Sequence, residues 1–498
     1  MSETLAKKNN PSASIGEPAS SADSRSAAPE LIRSGDVLAL RDPKTGRVLG
    51  FHGREMQVAE LAPELWTGLF KGQNSPNLSD DEREALNELA LWKISKGNSE
   101  PSAKTTPGMP STGVQPGVTP KTRASEPAIR SLTINVAQVC NLACTYCAAG
   151  GDGTYGSKIK TPELERTRLQ LAMLLEKVPT GGRFAITFLG GEPLLVPELI
   201  SSLAREAQLL VVGRDIKLRF DIVTNGTLVT PEIAELLAKL QANVTVSIDG
   251  APEDNDRARL TKSGRGSSAM ILKGLAELIK VKDRLGSLTA GAVFGSHNLN
   301  VVAAWKFLSE LPFDSMKFDF AAEAGDEFAS RRFAQGVVDV AELAFLRGGE
   351  TELRRLHTFN HLFETLDSGL RVENHCLAGK NHLQLDTDGR FTACQWFVGQ
   401  ADEILGQGTT LDLSPQNPKF TTFQEPLVEK SGCNTCWARH ICGGGCMHVN
   451  KVKTGNKHKV DQAYCERTRT IIAKGIERYA EARYHTDRNQ NGAASEIH

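Results

Sequence analysis

The sequence predicts an α/β protein: a partial (β/α)6 barrel of the TIM type, with a small α+β domain before it and a Cys-rich domain after it. Three observations carry this. Six strand-like runs alternate with helix-like segments between residues 129 and 368. Two short apolar runs flank a turn signal near the start. The ten cysteines are clustered, three from Cys140 to Cys147 and seven from Cys376 to Cys465, with none earlier.

Taken in order, residues 1–30 are rich in Ser, Ala and Pro and predict a disordered tail. In 31–96, the apolar runs Val37–Leu40 and Val48–Phe51 flank "DPKTG" and predict a hairpin. A helix is expected within Glu60–Phe70, and another from Ser79, where "SDDE" offers a capping box. Residues 97–128 are dense in Pro, Ser, Thr and Gly and predict a flexible linker. The barrel segment, 129–368, contains "SLTINVA", "RFAITFLG", "LRFDIVTNG", "NVTVSIDG", "LTAGAVF" and "SMKFDFA" as strands. Thr161 and Thr230, each followed by Pro, predict helix starts, the first with an apolar stripe of Leu164, Leu171, Leu174, Leu175 and Val178. Alternating βα units imply a parallel sheet with right-handed crossovers, so the residues after each strand gather at the carboxyl edge, where barrel enzymes build their sites. The Cys-rich domain is expected at 369–483 and a loose polar tail at 484–498.

With 498 residues, 40% hydrophobic and 23% charged, the composition is that of a globular chain. A net charge of -1 gives no electrostatic reason to expect nucleic acid or an anionic membrane. No apolar run reaches the length of a membrane span, and the first thirty residues lack the apolar core of an export signal. A cytoplasmic setting is therefore expected, where clustered thiols more often bind metal than form disulfides.

Cys140, Cys144 and Cys147 follow the strand "SLTINVA" with C-x3-C-x2-C spacing. Zinc would want a fourth protein ligand, and a disulfide would leave one thiol over. Three thiolates can hold three irons of a 4Fe–4S cluster and leave the fourth iron open to a small chelating molecule. Zinc or purely structural thiols are the alternatives at this point.

That spacing, with Tyr146 before the last Cys, resembles the radical S-adenosylmethionine (SAM) enzymes. Other loops fit in order over roughly residues 130–325. "FLGGEP" supplies Gly190, Gly191, Glu192 and Pro193, the loop that in this family receives the methionine amino group. "TNG" supplies Thr224, Asn225 and Gly226. By resemblance Ser247 and Arg259 are candidates for the ribose or carboxylate of SAM, and Asp249 is a further one. The implied chemistry is reductive cleavage of SAM to a 5'-deoxyadenosyl radical that takes a hydrogen atom from an unactivated carbon. The cofactor carries that chemistry, and the protein supplies orientation and dryness.

The later cysteines resemble the SPASM extension of that family. "CNTCWARHICGGGC" reads C-x2-C-x5-C-x3-C with Cys465 beyond it, and "CLAGKNHLQLDTDGRFTAC" reads C-x12-G-x4-C around Gly389. The resemblance implies two auxiliary clusters, three 4Fe–4S clusters in all. One would use Cys433, Cys436, Cys442 and Cys465. The other would use Cys376, Cys394 and Cys446, with an open iron or a non-Cys ligand such as His375, His382 or His448. A pair of zinc sites is the alternative from spacing alone. The layout also resembles the anaerobic sulfatase maturases, where an Asp follows the corresponding Cys as base. Here Gln395 stands there and cannot take a proton at neutral pH. Asp319, Asp386 and Asp388 are the candidate bases in its place.

The resemblance implies a peptide maturase: a precursor peptide or protein as substrate, a reducing partner such as flavodoxin or ferredoxin, and an intrapeptide crosslink as product. A thioether is favoured, an outcome that "AAGGDGTYG" after the first thiols also suggests. Carbon–carbon (cyclophane) crosslinking, epimerisation and formylglycine formation are the other outcomes. An edge of the N-terminal hairpin can pair with an extended leader peptide, or the segment is a plain packing domain. From a different class, a zinc-rich, non-catalytic binding module stays open.

Overall fold

A computed structural model describes residues 30–34, 36–43, 45–61, 66, 128–147, 161–321, 326–430 and 432–492. The helix expected from Ser79, the loop "AAGGDGTYG" and nearly all of the expected tail (1–30) and linker (97–128) lie outside them.

The N-terminal segment is a four-stranded antiparallel sheet, β1 (Glu30–Ser34), β2 (Val37–Arg41), β3 (Val48–His52) and β4 (Gln57–Leu61), in sequential order. The expected hairpin is β2–β3, with Leu40 opposite Leu49. Its turn closes through Gly46 N–H donating to Asp42 O at 2.8 Å and Thr45 Oγ1 donating to Asp42 Oδ2 at 2.6 Å. The strands on either side were not expected. β4 occupies the start of the expected Glu60–Phe70 helix, because Leu61, opposite Val48, extends the sheet.

The main sheet has ten strands in the order β10-β9-β8-β7-β6-β5-β11-β12-β13-β14. Its parallel part is β5 (Ser131–Ala137), β6 (Arg183–Gly190), β7 (Lys217–Thr224), β8 (Asn243–Ser247), β9 (Ser287–Phe294) and β10 (Ser315–Phe320), the six expected strands. The crossover helices are α1 (Leu164–Glu176), α2 (Pro197–Leu210), α3 (Pro231–Lys239), α4 (Ser268–Lys280) and α5 (Val301–Ser309). Thr230 caps α3 by accepting from Ile233 N–H at 3.3 Å, as its sequence predicts. At α1 the cap is Glu163 rather than Thr161, because the Glu163 carboxylate accepts from the N–H groups of both Glu165 and Arg166. In the stripe of α1, Leu171, Leu174, Leu175 and Val178 are buried, whereas Leu164 sits at the first turn and is exposed.

The expected boundary near residue 369 does not interrupt the sheet. β11 (His382–Leu385) pairs in parallel with β5, and β12 (Arg390–Thr392), β13 (Gly406–Gln407) and β14 (Thr410–Leu411) continue it antiparallel. The Cys-rich region therefore grows out of the barrel sheet. Before it come α6 (Glu327–Arg354), broken at Gly348 and Gly349, and α7 (His357–Ser368); within it lie α8 (Met447–Thr454) and the start of α9 (Gln462–Gly492). The last helix runs through the start of the segment expected to be a loose tail.

Strand alternation divides the parallel sheet into two faces. One row, including Leu132, Ile186, Phe220, Val244, Leu288 and Met316, is buried. Burying each large side chain stabilises by about 1.5–3 kcal/mol. The other face is small and polar. Asn243 donates to Asp221 at 2.7 Å, Ser287 donates to Asn243 at 3.0 Å, and Thr289 and Ser315 share a bond of 3.0 Å. These bonds close the amino end of the concave face and leave its carboxyl end to the loops. Among the described residues no helix is long and apolar enough to cross a membrane.

Candidate functional site

Cys140, Cys144 and Cys147 lie at the carboxyl end of β5. Their loop is strapped to the segment after β8: Ala143 N–H donates to Leu260 O at 2.7 Å and Thr145 N–H to Ala258 O at 3.0 Å. Tyr146 locks it further. Its hydroxyl donates to Asp249 Oδ2 at 2.7 Å, its ring stacks on His297 at 4.4 Å, and the Arg259 guanidinium lies 5.5 Å from its centroid.

Asp249 and Arg259 form a buried ion pair, with Nη2 on Oδ1 and Nε on Oδ2, each at 3.0 Å. Burial works against the Arg259 charge, but Asp249, Tyr146 and Cys144 together more than offset it and raise the pKa. Arg259 and Asp249, the candidates for contact with SAM, thus also hold each other and the thiol loop. Ser247 ends β8 on the concave face, and its hydroxyl has no hydrogen-bond partner among the described residues.

The "GGEP" loop is packed tightly into the fold. A Cβ on Gly190 would stand 2.1 Å from Ala137 O, and one on Gly191 would stand 2.3 Å from Val139 O. Both glycines therefore let this loop lie against the backbone leading to Cys140. Glu192 is 1% exposed, and its carboxylate accepts from Thr224 Oγ1 (2.7 Å), Asn225 N–H (2.7 Å) and Leu194 N–H (3.0 Å). Burial pushes its pKa up to about 7 against those donors. Glu192 thus ties the loop after β6 to the loop after β7, rather than presenting an open carboxylate. Pro193 is buried beside it, opening a short 3-10 turn. Asn225 Nδ2 reaches Cys140 Sγ at 3.6 Å and Asn141 Oδ1 at 2.8 Å, and Leu142 N–H donates to the same sulfur at 3.4 Å. Hydrogen bonds to ligand sulfurs set the potential of an iron–sulfur cluster.

The later thiols gather in two sets. Burial raises Cys394 to about 12, and the charges of Cys446 and Cys376 add to it. Burial likewise raises Cys442 to about 12 and Cys433 to about 11, with Cys465 the leading thiol neighbour of each and Cys436 also acting on Cys433. The same happens at the first loop, where burial pushes Cys144 up to about 11 and Cys147 and Cys140 add to the shift. Among the described residues no group of three His, Cys, Asp or Glu could hold a metal ion on its own geometry. A polynuclear cluster instead spreads its thiolates over several irons, and the three thiol sets have the donor chemistry for it. The buried indole N–H of Trp437, next to Cys436, has no acceptor among the described residues, a donor that a cluster sulfur would satisfy.

The histidines separate. His382 pairs across from Ser131 at the amino end of β5, with its ring 3.0 Å from Ser131 Oγ, far along that strand from the first thiol loop; burial lowers its pKa to about 4. His448 stacks on Trp396 at 5.4 Å. His375, beside Cys376, lies 3.2 Å from Cys442 O and 3.3 Å from Tyr464 Oη.

Two of the three candidate acids are structural. Asp386 Oδ1 accepts from Asp388 N–H at 2.9 Å and Arg390 N–H at 2.8 Å, and both acids pair with Arg390. They form the β11–β12 turn, where Gly389 has φ +75 and a Cβ would strike Arg166 Nε at 2.6 Å. Asp319 differs. It lies on the concave face near the carboxyl end of β10, bonded to Lys317 Nζ at 3.0 Å, and Lys317 aligns through Gly291 with Ser247. His357 and His375 feel both charges. Lys317 and these histidines are exposed to water. Sequence reasoning missed Lys317 and His357, since nothing in their spacing marks them.

Residues 134–298 match the Radical SAM superfamily. The chain is similar to the radical SAM cyclopropyl synthase TigE of Paramaledivibacter caminithermalis, at 25% identity over 379 residues, 70% of this chain and 74% of that protein. It is similar to the mycofactocin maturase MftC of Mycobacterium ulcerans, at 26% identity over 339 residues, 64% of this chain and 82% of that protein. The fold of native anSMEcpe with bound AdoMet matches it with a TM-score of 0.61 at 20% identity, over 71% of this chain and 99% of that one. The matched segment covers five barrel strands and the first thiol loop, and on that ground the chain carries a radical SAM domain and is an enzyme of that kind.

Proposed function

We propose that the enzyme is a peptide maturase that forms an intrapeptide crosslink, a thioether before a carbon–carbon bond. One observation carries this reading: a thiol triad at the mouth of the barrel and two further thiol sets in the region that extends the barrel sheet. Cys140, Cys144 and Cys147 would hold a 4Fe–4S cluster, Cys433, Cys436, Cys442 and Cys465 a second, and Cys376, Cys394 and Cys446 a third with one iron open. Such a site loaded with SAM supplies hydrogen-atom abstraction from an unactivated carbon.

The chain's own residues do the rest. Tyr146, Asp249 and Arg259 hold the first loop. Ser247 offers a free hydroxyl to SAM. Crosslinking a Cys sulfur to the carbon radical also releases a proton and an electron. Asp319 is the candidate base on the concave face to accept the proton, and the electron would pass to a cluster held by Cys376, Cys394 and Cys446. A thiolate of the substrate suits the open iron, which is why a thioether comes first. TigE and MftC, named as a cyclopropyl synthase and a maturase, support a precursor peptide as substrate. Among the described residues β1 pairs only with β2, so its outer edge can take an extended leader strand. A small flavodoxin or ferredoxin would supply the electron.

Anaerobic reconstitution with iron and sulfide tests the reading. About twelve irons per chain, 5'-deoxyadenosine on reduction and a substrate peptide lighter by two hydrogens are expected. Zinc without colour would return the chain to a binding module, and unchanged peptide mass with deuterium uptake would mean epimerisation.

A further inference from the structure

The N-terminal sheet does not hang free of the catalytic body. It presses on the loop that joins Cys436 to Cys442. Arg439 Nη1 donates both to Asp36 Oδ1 at 2.6 Å and to the carbonyl of Cys436 at 3.0 Å, so one guanidinium connects the β1–β2 turn to the backbone of a thiol-bearing residue. Arg439 is 6% exposed. Burial disfavours the Asp36 charge, but Arg439 holds its pKa below the ordinary value.

Beside this pair Gly53 lies against Trp437. A Cβ there would stand 2.0 Å from Trp437 O, a backbone atom with no room to move. Phe51 meets the Trp437 ring edge-on at 6.2 Å, and the Arg33 guanidinium lies 6.0 Å from it. Phe51 and Trp437 are 1% and 3% exposed. α9, which carries Cys465, borders the same sheet through β3 and β4. A sheet tethered only as a recognition element would need none of this buried contact with the thiol loop.

We infer that the N-terminal sheet is the cover of the Cys433, Cys436, Cys442 and Cys465 site, holding the Cys436–Cys442 loop in its ligating form and keeping water from it. Asp36 and Gly53 act through Arg439 and Trp437 and are positioning residues. The inference rests on the proposed reading of those four thiols as a cluster site.

The test uses the full chain, reconstituted anaerobically, with iron release to a ferrous chelator followed over time and auxiliary-cluster potentials read by EPR. Gly53→Val and Asp36→Asn are expected to release about four irons about tenfold faster than the parent. The remaining irons and the rate of 5'-deoxyadenosine formation stay as in the parent, and Asp36→Glu restores slow release. Should Gly53→Val fail to fold, Asp36→Asn carries the same comparison. Parent-like release and potentials in a folded Asp36→Asn or Gly53→Val chain overturn the cover. A Cys433→Ser chain that holds as much iron as the parent shows instead that the four thiols bind no cluster, and both readings then fail at that earlier step.

Discussion

The first thiol loop spans eight residues and is held by the segment after β8, through two backbone bonds and the Tyr146–Asp249–Arg259 lock, and by Asn225 after β7. The other seven thiols come from segments spread over residues 376–465 and are gathered by the β11–β12 turn, the Gly-rich run at Gly443–Gly445 and the docked N-terminal sheet. The difference teaches how each can fail. The local loop depends on a few buried partners. The dispersed sets depend on the packing of the whole C-terminal half.

The largest effect should separate their duties. Cys144→Ala is expected to lower 5'-deoxyadenosine formation by at least about 10³-fold. Cys376→Ala should leave that rate within about twofold while crosslinked peptide disappears from the mass spectrum. Loss of 5'-deoxyadenosine in both chains would end the separation.

Next comes the lock itself. Arg259→Met leaves Asp249 buried and unpaired, at a cost of about 3–5 kcal/mol, read as a lower denaturation midpoint and as loss of the first cluster before the others. An unchanged midpoint would mean that Asp249 finds other partners.

Glu192 gives a pH signature. Its folded pKa of about 7 lies above the ordinary carboxyl value. Its contribution to stability is therefore full below about pH 4.5 and is lost as pH rises through about 7, a fall of up to about 3 kcal/mol. Chemical denaturation across that window should show the slope, and Glu192→Gln should flatten it. A slope of equal size in the variant would assign it to other groups.

The smallest effect belongs to the far region. Asp388→Asn, in the β11–β12 turn, should change stability by about 1 kcal/mol or less and leave product formation intact. A large loss of crosslinking with normal folding would return Asp388 to the list of bases, and Asp319→Asn is the partner measurement.

Much of this was legible because its signals are local. The six parallel strands follow from runs of alternating and β-branched residues, the hairpin from "DPKTG", and the thiol spacing from short-range chain geometry. β1, β4 and β11 escaped notice because a short strand is specified by the partner it pairs with. His382 is a strand residue only because Ser131, some 250 positions earlier, lies beside it. The same limit applied to the loops. "GGEP" and Arg259 were placed at the right end of the barrel, yet their side chains turned inward, because a buried carboxylate or guanidinium must first satisfy its own charge.

The sequence by itself determined the order of the six βα units, through periodicity, and pointed to the class of chemistry and its candidate thiols, through the family resemblance that short motifs carry along one stretch of chain. Only the tertiary structure decided that Asp249 and Arg259 lock Tyr146, that Asp319 lies on the concave face while Asp386 and Asp388 hold a turn, and that Asp36 reaches Arg439 across some 400 residues. Burial and pairing of charge are properties of neighbours in space, and the chain brings those neighbours together only when it folds.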